Sequence, residues 1–315
     1  MAKTVLVIFN STAGKSKAHT YLPEISTKLE QAKEQSLISE YEIIETEYVG
    51  HAAEIAQQSC GKFDIICASG GDGTVNEVVN GMMKSDREEH SSCLTVLPVG
   101  RGNDFSFGAG LPKEISESLK FLTTKNPLPL DVGLITGGDY PQGRYFANGI
   151  GVGFDTIVGL EAAKMKLFRG AGGYAAAAIK TLIANPRAPR ITLTLTDAAG
   201  NISRSAAQPA LISVMNGRRM GGAFFMAPDG NISDGLLNLC MTEQGPRRSL
   251  LRAMLHYAKG TQDRHAGTRM DTAVHLHILA PEGGLVCHAD GETICENGNE
   301  LSIQIFPAAL RLIRE

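Results

Sequence analysis

Apolar positions along the chain follow two different rhythms, and the change comes near residue 130. Before it, short apolar runs alternate with stretches of helical spacing. Val5-Leu6-Val7-Ile8-Phe9, Tyr41 to Thr46, Phe63 to Ala68 and Leu94 to Pro98 read as strands. The first is uninterrupted, as a central parallel strand covered on both faces requires. Residues from about 18 to 35 place Leu22, Ile25, Leu29 and Ala32 at helical spacing, and His51-Ala52-Ala53-Glu54-Ile55-Ala56 opens a second helix. Val75 to Gly81 has the same period and closes on glycine. Strands alternating with helices predict βαβ units and a parallel sheet. The polar loops at 10–16, 46, 70–77 and 100–104 then gather at the C-terminal ends of its strands.

Beyond residue 130 most segments are short and strand-like, at 144–150, 190–197, 209–216, 235–242, 272–280, 284–288 and 300–306. Asp197 to Asn201, Asp229-Gly230-Asn231 and Asp290-Gly291 supply turn chemistry between them. A mainly antiparallel, sandwich-like second domain is expected. Helical stretches interrupt it at about 156–185 and again at 244–262. The expected division is 1–131, an α/β domain, and 132–315, a β-rich domain, with residues from about 305 to 315 free to return to the first.

Composition narrows the function classes. With 43% hydrophobic residues in 315, the chain can bury a large core. A net charge of −3 gives no overall basic field for nucleic acid. The six cysteines form no C-x-x-C pair and sit largely in apolar runs, so buried, reduced thiols are expected. The N-terminus leads straight into a strand too short for a signal-peptide core, and no apolar run approaches the roughly 18 residues of a membrane span. The expected location is cytoplasmic.

The chemistry centres on Ser69-Gly70-Gly71-Asp72-Gly73-Thr74-Val75-Asn76-Glu77, which joins a buried strand to a helix. Glycines let the backbone turn sharply there, and the free N–H groups of a helix start attract phosphate. Asp72 among phosphates would need a divalent cation, which points to Mg²⁺; the alternative is a tight turn with Asp72 capping the helix. Gly14-Lys15-Ser16 is not a Walker A loop, since Phe9 stands where the first glycine is required. Gly71-Asp72-Gly73 and Gly100-Arg101-Gly102 each lack the third glycine of the dinucleotide fingerprint.

Together the motifs resemble the diacylglycerol kinase catalytic domain family, shared with sphingosine kinases and bacterial lipid kinases. The likeness rests on Gly70 to Glu77, Asn10 to Gly14, Pro98 to Phe105 and Phe146 to Asp155. Asn216-Gly217, Gly221-Gly222, Ala227-Pro228-Asp229, Asp234-Gly235 and Asp290-Gly291-Glu292 follow in the family's order. The resemblance implies an active site in the cleft between the two domains. It implies ATP held by Asn10, Ser11, Thr12, Thr46, Gly70, Gly71, Asp72, Gly73, Thr74, Val75, Asn76, Gly100, Arg101, Asn103 and Asp104. It further implies Glu292 and Asp72 as catalytic residues, Glu292 being the general base toward a lipid hydroxyl. A structural Mg²⁺ would lie at Asp234 with the carbonyls of Asn231 and Leu236. Arg101 departs from the threonine of many bacterial members and offers a bidentate phosphate clamp instead.

Each position also has a plainer reading. Glu292 after a hairpin turn is otherwise a solvated strand residue, Asn103-Asp104 an N-cap, Lys15 a solvated loop cation, His288 and Asp290 an isolated H-x-D pair, and Asp234-Gly235 a turn. Residues 159–190 carry six basic side chains (Lys164, Lys166, Arg169, Lys180, Arg187 and Arg190) interleaved with Leu160, Met165, Leu167, Phe168, Tyr174 and Leu182. These form either a solvated helix face or a contact with the membrane surface. The expected partners are a lipid substrate at the inner membrane face and no nucleic acid, with a homodimer left open. Rival readings are a kinase for a soluble acceptor, since NAD kinases also carry a Gly-Gly-Asp-Gly loop, and a non-catalytic nucleotide- or lipid-binding regulator.

Overall fold

Val5 to Phe9 are fully buried, as a strand covered on both faces must be. In the computed structural model, which describes residues 2–85, 92–164 and 171–315, they lie in β1 (Lys3–Phe9). A short helix α1 (Ala13–Ser16) and a 3₁₀ turn (Ala18–Tyr21) lead into α2 (Leu22–Glu34), which turns Ile25 and Leu29 inward. Then follow β2 (Ile38–Glu45), α3 (His51–Ser59), β3 (Ile65–Gly70), α4 (Asp72–Lys84), β4 (Cys93–Pro98), α5 (Asp104–Gly108) and α6 (Ile115–Thr124). The strands β2-β1-β3-β4 are parallel throughout, and their neighbouring helices bury apolar faces against both sides of the sheet.

The second half comprises β5 (Pro127–Gly137), β6 (Tyr140–Phe146), β7 (Gly149–Gly153), α7 (Phe154–Lys164), α8 (Ala171–Ala184), β8 (Ile191–Thr196), β9 (Ile202–Ala207), β10 (Pro209–Met215), β11 (Leu237–Glu243) and α9 (Arg247–Lys259). It closes with β12 (Thr268–Ala273), β13 (His275–Leu279), β14 (Leu285–Ala289), β15 (Glu292–Gly298) and β16 (Glu300–Ile313). Six of these form an antiparallel sheet in the order β12-β11-β10-β7-β14-β15. It faces β13 and β8 across a shared apolar core that includes Ile150, Leu193, Val214, Leu276 and Ile303. The α/β-plus-sandwich architecture is thus the one the apolar rhythm predicts.

The two halves are joined by one long strand. β16 pairs with β13 at its start and with β5 along most of its length. Near its end Leu312 lies parallel to Leu94 of β4, so the parallel sheet runs on into the sandwich.

Four stretches differ from the sequence expectation, each for a physical reason. The segment 272–280 is two strands, because the chain changes layers at Val274: β12 ends in the six-stranded sheet and β13 belongs to the other. The segment 144–150 breaks at Ala147 and Asn148, whose N–H groups donate to the Asp290 carboxylate and not to a neighbouring strand. β5 is hidden by its prolines. Pro127 and Pro129 pair only with β16, since β6 joins from Gly133 onward, and no donor is needed on the open side. β9 is a polar edge strand, with little apolar signal to announce it.

All six cysteines are buried. Among the described residues no helix is long and apolar enough to cross a membrane. Met165, Lys166, Leu167, Phe168 and Arg169 lie outside the described residues, as do the side chains of Lys15 and Tyr174.

Candidate active site

Four loops meet at the C-terminal ends of β1, β2, β3 and β4. Asn10 caps β1: its N–H donates to Ser69 O (2.9 Å) and its Nδ2 to Thr74 Oγ1 (3.0 Å). Its Oδ1 accepts from the N–H (3.1 Å) and the hydroxyl (2.8 Å) of Thr12, folding Asn10-Ser11-Thr12 into a tight turn. Thr46 closes the neighbouring edge through its N–H to Phe9 O (2.9 Å). The two glycine loops touch. A Cβ on Gly71 would come within 3.3 Å of Gly100 Cα, and one on Gly100 within 2.6 Å of Asn103 Oδ1. Side chains at these two positions would push apart the wall that a phosphate chain could lie against.

α4 starts earlier than the apolar period suggests. Asp72 is its first residue and Gly71 its cap, so Asp72 lies in the first turn. Its Oδ1 accepts the Phe105 N–H at 3.1 Å, which ties α4 to the start of α5. Burial, then the nearby Asp104 charge, push the Asp72 carboxyl up to about 6. Asp290 of the β14–β15 hairpin, which accepts from Asn76 Nδ2 of α4 at 3.0 Å, adds to the rise.

Asp104 itself crosses to the second domain. Its carboxylate accepts from Arg219 Nε (2.7 Å) and from the Gly222 N–H (2.9 Å to Oδ2). The Arg219 guanidinium also donates to Gly102 O (3.0 Å) and lies over the Phe107 ring. Asn103 adopts a left-handed conformation (φ 49°), and its Nδ2 donates to the carbonyls of Pro98 and Gly100 (3.2 Å each). Arg101 stands exposed at the loop tip.

The Asp290-Gly291 turn has positive φ at both residues (47° and 90°), the geometry of a two-residue hairpin. Asp290 is more than a turn residue. Its buried carboxylate accepts from the N–H groups of Ala147 (2.8 Å), Asn148 (3.1 Å) and Gly149 (2.8 Å) and from Asn76 Nδ2 (3.0 Å). Burial pushes this carboxyl up while those donors pull it back. Glu292, half-buried, begins β15 two residues on.

Two side chains of the glycine motif have their partners elsewhere in the fold. Asn76 is buried. Its Nδ2 donates to Asp290 and to Tyr145 O (3.0 Å), and its Oδ1 accepts from Arg144 (2.7 Å), so its side chain serves the domain junction. Glu77 accepts the N–H groups of Gly50 (2.9 Å) and Ala52 (3.2 Å), capping α3 in place of the side chain that Gly50 lacks. Sequence reading missed Arg219 and the clamp at Asp290. The signal for the first was its place beside Gly221-Gly222; for the second, an aspartate in a turn that any hairpin would tolerate.

A cation beside Asp72 fits the donor set: a carboxylate with a raised affinity for positive charge beside a second carboxylate. At the other expected metal position, Asp234 Oδ1 accepts the Leu236 N–H (3.0 Å) and Asn231 Oδ1 accepts from Ser233. Burial raises the Asp234 carboxyl, and the Asp131 charge adds to it. Among the described residues no three His, Cys, Asp or Glu side chains converge. A cation at either place would therefore be completed by phosphate, backbone or water oxygens, as hard cations commonly are.

A parallel sheet whose two abutting glycine loops lie beside Asp72 and Asp104, followed by an antiparallel sandwich, defines a class of two-domain kinases. Residues 4–135 match the family model of the diacylglycerol kinase catalytic domain, and residues 148–314 that of the YegS C-terminal NAD kinase beta sandwich-like domain. The chain belongs to this diacylglycerol kinase family. A diacylglycerol kinase of Staphylococcus aureus (strain bovine RF122 / ET3-1) is 28% identical over 294 residues, 93% of this chain and 87% of the relative. A solved Bacillus anthracis str. Sterne protein assigned as a diacylglycerol kinase superposes with a TM-score of 0.76 at 24% identity, covering 99% of this chain and 97% of the other. Yeast NADH kinase, solved with NADH, shares the fold more distantly (TM-score 0.54, 12% identity, 99% and 83% covered).

Proposed function

We propose that the protein transfers the γ-phosphoryl group of ATP to the hydroxyl of a membrane lipid such as diacylglycerol, with Mg²⁺ as metal cofactor. The observation that carries this reading is the convergence of the loops at Asn10, Gly70–Thr74 and Gly100–Asp104 on Asp72, with Asp290 of the hairpin that bears Glu292 bonded to Asn76 of α4. The abutting glycine backbones and the first turn of α4 hold the phosphates, and Arg101, exposed at the rim, clamps them from outside. Asp72 would hold the Mg²⁺, which would neutralise charge on the phosphates. Glu292 takes the proton from the acceptor hydroxyl as its oxygen attacks the γ-phosphorus and ADP leaves. A positioned base of this kind contributes about 10²–10⁴ in rate. Asp104, held by Arg219 and Gly222, fixes the sandwich domain across the cleft, and Asp290 fixes the hairpin. A second cation at Asp234, Asn231 and Leu236 would be structural.

The acceptor reaches the cleft from a membrane surface, and the protein works peripherally at the inner face. In the basic segment 159–190, Lys164 (3.2 Å) and Lys180 both pair with Glu161, so part of its charge is balanced within the fold. The deciding experiment supplies radiolabelled ATP and Mg²⁺ with a total lipid extract or with NAD. Label in a phospholipid fraction supports the proposal; label in NADP alone makes the protein a kinase for a soluble acceptor. Label in neither, from folded protein, leaves a non-catalytic binder.

A further inference from the structure

α9 reads Arg-Arg-Ser-Leu-Leu-Arg-Ala-Met-Leu-His-Tyr-Ala-Lys: four cations and no carboxylate in thirteen residues, in a chain whose net charge is −3. One side of it is firmly seated. Leu250, Ala253 and Tyr257 are buried, Ala253 and Tyr257 in one cluster with Leu211, Met215 and Cys240 of the six-stranded sheet, and the Tyr257 hydroxyl lies 2.9 Å from Thr242 Oγ1. The opposite side carries Arg248, Leu251, Arg252, Leu255 and Lys259, all exposed and brought onto one face by the helical period. Leu251 is 47% and Leu255 56% exposed, unusual for leucines on a helix whose other side already has its core. Among the described residues no ion pair engages any of the four cations, and Arg247 extends the charged stripe to the start of the helix.

α8 continues the pattern. Ile179 and Ile183, four residues apart, are 59% and 60% exposed. The C-terminal end of α8 is tied to the lead-in of α9: Gln244 Nε2 donates to Asn185 Oδ1 (2.9 Å), and the Ala188 N–H donates to Gln244 Oε1 (3.2 Å). At its other end α9 touches the cleft. Tyr257 O accepts the Phe225 N–H (2.9 Å), and the Phe225 ring meets Phe107 of α5 edge-on at 5.9 Å, next to Asp104.

We infer that the outward face of α9, extended by Ile179 and Ile183 of α8, docks the protein on an anionic lipid bilayer. Isolated leucines ringed by arginines suit a headgroup layer: the apolar tips enter the acyl boundary while the guanidinium groups meet lipid phosphates. A continuous dry interface with another protein would instead call for more apolar area and fewer cations at its centre. The choice of a bilayer as occupant rests on the lipid-kinase reading, and docking here brings the Phe225–Phe107 rim of the cleft close to the surface.

The test compares wild type with Arg248→Gln/Arg252→Gln, with Leu251→Gln/Leu255→Gln, and with Ile202→Gln, an exposed isoleucine on edge strand β9, as control. Each is sedimented with vesicles of phosphatidylcholine and phosphatidylglycerol (about 3:1) and assayed for phosphoryl transfer to diacylglycerol in detergent micelles. Removing two arginines should lower vesicle partition about 25-fold, roughly fivefold for each. The leucine pair should lower it about tenfold or more. The control should stay within about twofold, and micellar activity should hold throughout, since these residues lie outside the cleft. Wild type that fails to sediment, or α9 variants that sediment like wild type, overturn the inference. So does a change of oligomeric state on gel filtration, which would make the face a contact between copies. Micellar activity together with α9-independent sedimentation leaves the kinase reading standing without this surface. Sedimentation that follows α9 with no lipid phosphorylated in either format supports the surface and removes the kinase reading.

Discussion

Asp72→Asn should make the free protein more stable and inactive. Raising a carboxyl from 3.8 to about 6 disfavours its charged form by roughly 3 kcal/mol. Asp72 is half-buried, and solvent screening reduces what reaches stability to about 1–2 kcal/mol. The sign follows from linkage. The folded protein holds this proton where the unfolded chain has released it, so stability falls as pH rises from about 4 to about 6 and the penalty is complete at pH 7. Asparagine carries no charge and still offers an Oδ1 to the Phe105 N–H. In Mg²⁺-free, nucleotide-free buffer the variant should therefore melt about 1.5–3 °C above wild type at pH 7, taking about 2.1 cal/mol/K of unfolding entropy per residue. At pH 4 the two should coincide. Adding Mg²⁺ and ATP should reverse the order, because wild type gains a bound cation that the amide holds poorly. Melting curves at pH 4, 5, 6 and 7, with and without ligand, give the whole comparison. A variant less stable than wild type at pH 7, or an offset that ignores pH, refutes the reasoning.

Asp290→Ala strips the acceptor from three backbone N–H groups and from Asn76 and leaves alanine at positive φ. Stability should fall by about 3–5 kcal/mol, and Asp290→Asn should recover at least half of it; denaturant titration reads both. Arg101→Thr should weaken ATP binding several-fold while leaving the melting temperature of the free protein within about 1 °C, because an exposed loop tip contributes little to folding. An unchanged dissociation constant removes the clamp from the account.

Much of the fold was legible because its pattern was physically simple. β3 and β4 are buried along their whole length and read as continuous apolar runs, and the helices around them bury one face each. Strands whose hydrogen bonds depend on distant partners were not legible. β5 is paired despite two prolines because only one of its sides is bonded there, and β12 and β13 part where the chain changes layers. The nucleotide side of the site was visible in its glycines, since close approach of Gly71 and Gly100 tolerates little else. Its inter-domain half was not. Asn76, Glu77 and Asp290 look alike as polar residues in motifs, yet they clamp the domain junction or cap α3, roles fixed by partners up to 214 positions away. Arg219 is similar: nothing local says that it will meet Asp104 across the cleft. The basic face of α9 was equally hidden, because the sequence marks a helix there and not which of its sides the sheet covers.

The central claim is that a carboxylate on the sandwich hairpin takes the acceptor's proton opposite the glycine loops, and Glu292→Gln tests it most directly. Glutamine keeps the shape of the side chain and loses its basicity. Single-turnover transfer from ATP to diacylglycerol in micelles should slow by about 10²–10⁴. ATP affinity and melting temperature should barely move, because the loss falls on the transition state. A folded variant that binds ATP normally and transfers phosphate at more than about a tenth of the wild-type rate, above the range for a lost general base, would contradict the account.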